Sequence, residues 1–504
     1  MVNQILNPLI LIFVSALVLP LISRIGEYLK FPKLRDFFAF FALTISMLLI
    51  VTMVPSVPLS YHVNIFGPPF GIELHANMMS IYLALLSITM ILLVTFYSIK
   101  YMEVDNGLEK YYTLILTLTG GIVGLVFSQD FFTLYVFWEL ICISSYTLVS
   151  FRKYRWQAVE GGIKYLLMST IGSLIALYGI SMLYGVAGTL NFSSLADIIE
   201  KLKPNLSLYF IIVTIVVGFG MSSAIVPFHS WIPDAYVGAP NCIASISTVI
   251  LKISAFNIIR SLMIVFNPTI YNYGLILVCF GLLSLTFGNF LAVTQKDIRR
   301  LLAFSSVSNM GYIFTGLGIA SYIIYTYGYF LSYAFEIAMI GVFLHMMNHV
   351  FGKGLLFMSI GNFSVQTKNY SINSLEGLMR KMPLSSFSAA VGLLGLAGVP
   401  PLSGFWSKLF IIASAATVLS DPILLVTLAL LVFNSVFDAA YYVWVFQKIV
   451  FRPVSEKGQS ATEVSVFMWL PVVILATLLI IITIRLDLFI TFVRAALWSL
   501  FGGV

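Results

Sequence analysis

The stretch His345-Met-Met-Asn-His349-Val-Phe-Gly-Lys353 lies inside an apolar run from about Tyr327 to Ile360. A spacing of four stacks His345, His349 and Lys353 on one face of a helix. A lysine near the centre of a membrane-spanning helix costs about 2.5–3.5 kcal/mol. Such a row is tolerated where it lines a hydrated path walled by protein, and titratable nitrogens along such a path point to proton relay. The stretch therefore predicts a polytopic membrane fold with a conduction site inside it.

Composition agrees. Of 504 residues 60% are hydrophobic and 9% charged, and apolar segments of 18 or more follow one another almost without interruption. The longest polar connections fall near residues 55–77, 187–206 and 361–383. The first apolar run, Ile5 to Ile22, has no basic leader or small-residue cleavage site and reads as a retained helix, not a signal peptide. The net charge of +7 sits in loops, so it reports topology, and a nucleic-acid partner is excluded. Cys142, Cys242 and Cys279 lie in apolar runs without a CxxC, as small packing residues.

The apolar runs predict an all-α polytopic membrane protein of about fourteen transmembrane helices. They lie near 4–22, 35–54, 78–99, 110–127, 130–150, 159–185, 207–226, 240–264, 270–293, 301–320, 328–360, 384–412, 421–447 and 466–487. With the loop after the first span inside, eighteen of the 27 Lys and Arg fall in inner loops and five (Lys201, Lys203, Arg260, Arg485 and Arg494) in outer ones. Lys164, Lys252, Lys353 and Lys408 remain within spans. A miscounted span would flip every later loop and erase this bias, so both termini are expected outside, in a prokaryotic cell membrane.

Proline supplies the next layer. Pro227 ends the seventh span, and Pro400 and Pro401 interrupt the twelfth. Proline breaks the hydrogen-bond ladder, and lipid cannot satisfy the freed groups, so both breaks should face protein or water. The two broken helices are five spans apart and cross in opposite directions. That predicts two inverted five-helix repeats, each with a discontinuous helix: residues 106–265 (spans 4–8) and 266–450 (spans 9–13). Three peripheral helices (1–105) precede them, and a last helix with a short tail (451–504) follows.

The ionisable residues inside the spans are the candidate path. Glu139 is mid-span in Phe-Trp-Glu-Leu, and Lys252 is about twelve residues into the eighth span, too deep to snorkel easily. Lys408 follows the second break by about two turns, nearer the outer face, as an exit site. Lys164 is only about five residues into the sixth span, where snorkelling to the surface competes with function. Glu336 and Asp438 can each neutralise a buried lysine or offer oxygen ligands to Na⁺.

These segments resemble the antiporter-type membrane subunits shared by respiratory complex I, Mrp cation/proton antiporters and archaeal membrane-bound hydrogenase-type complexes. The resemblance rests on Asp130–Leu140, Val226-Pro-Phe-His-Ser-Trp-Ile-Pro-Asp234 with Gly238-Ala-Pro240, and Leu251-Lys252. It continues through Gln295-Lys-Asp-Ile-Arg-Arg-Leu-Leu-Ala-Phe-Ser-Ser, His345 to Phe357, and Gly398-Val-Pro-Pro-Leu-Ser-Gly-Phe to Lys408. They run in family order across roughly residues 100–450. The resemblance implies a central hydrophilic axis on which Glu139, Lys252, His345, His349, Lys353 and Lys408 occupy the family's path positions. It also implies a lysine five residues before Pro227, paired with Glu139, but that position is Ser222. A serine cannot hold the charge. Three outcomes stand: a route modified through Lys252 and water, a Na⁺-handling variant, or a scaffold that does not pump.

The function expected is a proton- or Na⁺-translocating subunit of a multi-subunit complex, with other membrane subunits and a peripheral oxidoreductase arm as partners. The chain has no GxGxxG after a strand, no P-loop and no cysteine cluster, so no redox site or cofactor is expected in it. Whether it counts as part of an enzyme depends on that parent complex. A haem subunit using His345 and His349 fits poorly, because both lie on one helix face. A Mrp-type antiporter subunit and a stand-alone secondary transporter are the remaining alternatives.

Overall fold

The computed structural model describes residues 4–63, 71–328 and 332–501. Both chain ends, part of the connection expected at 55–77 and the start of the span expected at 328–360 lie outside them. Among the described residues, twelve helices are long and apolar enough to cross a membrane. The chain is a mostly helical, multi-pass membrane protein.

Two helices, α1 (Leu6–Tyr28) and α2 (Leu34–Met53), lead to a hairpin, β1 (Leu59–Val63) against β2 (Ile72–Ala76). The hairpin falls in a stretch expected as an irregular connection. There follow α3 (Met78–Tyr101), α4 (Leu108–Phe127), α5 (Phe131–Val149), α6 (Trp156–Ala187) and the short α7 (Phe192–Ile199). Next are α8 (Leu206–Ser222), the short α9 (Ile232–Gly238) and α10 (Asn241–Arg260). Then come α11 (Gly274–Val293), α12 (Ile298–Tyr327) and α13 (Ser332–Thr367). After them come α14 (Pro383–Ala397) and α15 (Ser403–Ala415), separated by a five-residue break at 398–402, followed by α16 (Pro422–Val450), α17 (Val466–Ile484) and α18 (Leu486–Phe501).

Short polar side chains start several of these helices by accepting from backbone N–H groups that lack helical partners. Asn77 accepts from the Ser80 N–H and begins α3; Asn205 accepts from Leu208 and begins α8. Asp130 accepts from the Thr133 N–H at 2.7 Å to begin α5, and Asp297 from Arg299 at 2.8 Å to begin α12. Each of these two caps also sits in a short backbone strap. Phe131 N–H reaches the Leu190 carbonyl and Phe192 N–H the Gln129 carbonyl; Ile298 N–H reaches Tyr370, and Ile372 N–H reaches Lys296. The same four-residue exchange thus occurs at both helix starts.

The core is made by α10 and α12, whose membrane-length windows are wholly buried, with α13 and α3 around them. Exposed apolar side chains on the outer helices, among them Leu17 on α1 and Val436 on α16, give the chain an apolar outer surface. Close helix approach depends on small residues where side chains would hold backbones apart. On the α11–α12 seam a Cβ at Gly281 would lie 2.5 Å from the Thr315 backbone nitrogen, and one at Gly311 2.5 Å from that of Leu285. Gly281→Val should therefore splay the seam, at a cost on the order of 1–3 kcal/mol or more, and lower the thermal unfolding midpoint in detergent. An unchanged midpoint would show that the two backbones need no such approach.

Candidate ion-conducting site

The row on α13 is buried along its length. His345 and Lys252 are 1% exposed, and His349 and Lys353 have no exposed surface. His349 Nδ1 meets the Lys252 ammonium of α10. One turn away, His345 Nδ1 is 3.0 Å from the Ser407 hydroxyl of α15. At the other end, the Lys353 ammonium donates to the Leu302 carbonyl at 2.8 Å and to the Ser305 hydroxyl, both on α12. The Tyr442 ring of α16 lies 5.4 Å from the same nitrogen. The helix spacing of four thus hands three nitrogens to three different neighbouring helices.

Lys408 completes the row at the second helix break. Gly398, at φ +79°, ends α14, and the chain turns through Pro400 and Pro401 into α15. That leaves carbonyls at the end of α14 without helical partners. The Lys408 ammonium takes two of them, Leu396 at 2.8 Å and Ala397 at 3.3 Å, and the Gly398 position leaves no room for a Cβ that would not press on the lysine stem. It also pairs with both carboxylate oxygens of Asp438 at 2.8 and 2.9 Å. Tyr312 donates to Asp438 at 3.2 Å, and its ring lies 5.2 Å from both the Lys408 ammonium and the His345 ring. The first break, around Pro227, is closed differently. The Trp231 indole donates to the Met221 carbonyl at 3.0 Å, and the Val226 N–H to the Ser284 hydroxyl at 2.9 Å.

The other candidates lie apart from this row. Glu139 is half-buried on α5 and accepts from the Ser173 hydroxyl of α6; among the described residues no ion pair joins it to a lysine. Ser222 closes α8, fully buried, its hydroxyl without a partner among the described residues. Lys164 pairs with Glu160 and Asp234 at 2.6 Å each with its side chain 44% exposed, which is the surface alternative. Glu336 pairs with Arg494 of α18 at the periphery and neutralises none of the buried lysines. Asp438 does. Arg260, expected in an outer loop, is the buried last residue of α10; it donates to the Leu125 carbonyl at 3.2 Å and stacks over Phe192.

Sequence reasoning left Ser305, Tyr312, Ser407 and Tyr442 without roles. A signal was present in α12, where Ser305, Ser306, Ser308, Asn309 and Tyr312 crowd one apolar span. Among the described residues no group of three or more His, Cys, Asp or Glu is arranged to hold a metal ion.

Residues 128–437 match the family described as "NADH:quinone oxidoreductase/Mrp antiporter, TM". NADH-quinone oxidoreductase subunit N of Desulforudis audaxviator is 29% identical over 465 residues, covering 90% of this chain and 88% of the relative. The same subunit of Desulforamulus reducens is 33% identical over 354 residues, 70% of each chain. A chain of the membrane-bound sulfane sulfur reductase, an archaeal respiratory membrane complex, superposes with a TM-score of 0.86 at 25% identity, covering 99% of this chain and 97% of that one. With more than half its length matched and its buried charges on these helices, the chain belongs to the NADH:quinone oxidoreductase/Mrp antiporter family of membrane subunits.

Proposed function

We propose that this chain carries protons across the membrane along Lys252, His349, His345, Lys353 and Lys408, as one subunit of a larger membrane complex. The observation that carries the reading is the contact of Lys252 with His349. It connects α10 to the row on α13, and the Tyr312 ring, 5.2 Å from both His345 and the Lys408 ammonium, supports continuing the path to the break at Lys408. Buried polar atoms on the helices of the row, including His349 Nε2 on α13 and both side-chain atoms of Asn257 on α10, have no protein partner among the described residues. Groups of this kind are satisfied by water, which a proton path requires. Na⁺ fits less well, because both Asp438 oxygens face an ammonium and leave no oxygen cage.

On this reading α8 with α9, and α14 with α15, each make one discontinuous span. They bring the total to fourteen, with the inverted repeats at 106–265 and 266–450 between peripheral segments 1–105 and 451–504. The matched straps at Asp130 and Asp297 support the repeat, since equivalent helices start with equivalent exchanges. The basic loops support an inner placement for Arg152 and Arg299 and an outer one for both termini. Glu139, half-buried and facing α6, stands at the edge of the path, and the missing lysine at Ser222 leaves the first half without its charge pair. The chain has no redox motif, so partner membrane subunits and an oxidoreductase arm would supply the energy.

Lys252→Ala should abolish ion pumping in the reconstituted complex while leaving assembly intact, and Glu139→Gln, at the edge of the path, should slow it; wild-type pumping by Lys252→Ala would remove that residue from the path. Lys164→Gln, at an exposed ion pair, should keep most of the activity in the same assay. Ser222→Lys should move the pH optimum of pumping, because it puts a cation back beside Glu139. A profile superimposable on the wild type would mean that the first-half pair does not drive this subunit.

A further inference from the structure

Three lysines, Lys252, Lys353 and Lys408, are buried together with His345 and His349, and among the described residues a single carboxylate in their surroundings is fully buried. That carboxylate is Asp438, with no exposed surface, on α16. Other acids are committed elsewhere. Glu139 accepts from Ser173, Glu336 from Arg494, and Asp421 caps α16 and accepts from Tyr322 and Tyr327. Asp105 is also buried, but it pairs with Arg152 in the connections flanking α4 and α5.

Asp438 is placed to serve more than one lysine. Its carboxylate holds the Lys408 ammonium, and Lys353 lies over Tyr442, one helical turn further along α16. The groups facing the pair are Tyr312 from α12, His345 and Lys353 from α13, and Tyr442 from α16 itself. Asn309 of α12 donates to the Tyr442 hydroxyl at 3.3 Å, so both tyrosines beside Asp438 are tied to the same helix. At low dielectric a lone carboxylate cannot balance two neighbouring ammonium groups, and each added positive charge weakens its hold on the other.

We propose that Asp438 is the shared counter-ion that gates Lys408: charge arriving at Lys353 competes for this carboxylate and loosens its pairing with Lys408. Lys408 then gives its proton toward the far side of the membrane and, as a neutral amine, takes the next proton from the row. Asp438 remains a carboxylate throughout. In this chain the charge pair that couples one step to the next therefore stands in the second half, where the first half has Ser222. The inference rests on the proton path proposed above, and it makes Asp438 a positioning residue acting through Lys408.

The test uses the intact parent complex in sealed membrane vesicles, measuring assembly, partner turnover and ion pumping for Asp438→Asn, Asp438→Glu and Lys252→Ala. Asp438→Asn should assemble and pump at least tenfold more slowly. Asp438→Glu, which keeps the charge, should restore pumping to within about threefold of wild type, a rescue that packing alone would not favour. Pumping by Asp438→Asn within twofold of wild type, while Lys252→Ala is inactive, overturns the gate and leaves the path standing. Wild-type pumping by Lys252→Ala overturns the path, and the gate with it. Where Asp438→Asn does not assemble, an assembled Asp438→Glu decides: retained pumping supports the gate, and a tenfold loss overturns it.

Discussion

A carbonyl that a broken helix leaves unbonded inside a membrane must find a donor, because hydrocarbon offers none. At the end of α14 that donor is the Lys408 ammonium. A cation there also meets the negative end of the helix dipole. Fixing the cation at this point calls for a buried anion beside it, and Asp438 on α16 supplies one. The anion in turn positions Tyr312, whose ring reaches His345. Much of the polar geometry of the second half follows from one interrupted ladder of hydrogen bonds.

The two interruptions solve the same backbone problem with different chemistry. Around Pro227 the freed groups are met by an indole and a hydroxyl, both uncharged. Around Pro400 and Pro401 they are met by a charged amine. The first solution is electrically silent, and the second binds the break to a titratable group. This difference matches the sequence position of Ser222, where a neutral side chain ends α8, whereas the break after α14 carries a buried ion pair.

Much of this was legible before any coordinates. The spacing of His345, His349 and Lys353 located the row, and the prolines located both breaks. Hydropathy gave the long helices, because a membrane leaves helix as the backbone's main choice. The strand pair Leu59–Val63 and Ile72–Ala76 and the helices α7 and α18 were not legible. They lie in short stretches whose structure is set by docking onto neighbours, such as Gln129 N–H donating to the Glu73 carbonyl. The pairing of Asp438 with Lys408 was open to Glu336 as well, since one sequence cannot say which acid faces inward. Arg260 was misplaced because a basic residue at a span end reads as a loop cation, whereas here carbonyls at the end of α4 and the face of Phe192 receive it.

The complete burial of α10 bears on how the chain enters the bilayer. This helix carries Lys252, Asn257 and Arg260 and presents no face to lipid. It is apolar enough overall to span the bilayer, but its two basic groups and its amide would find no partner in hydrocarbon. Its polar partners on α13 are synthesised about a hundred residues later. The segment must therefore be sheltered by the earlier helices, α3 and α8 among them, until the second half arrives, which makes biogenesis of this protein a cooperative event between its halves rather than a helix-by-helix addition.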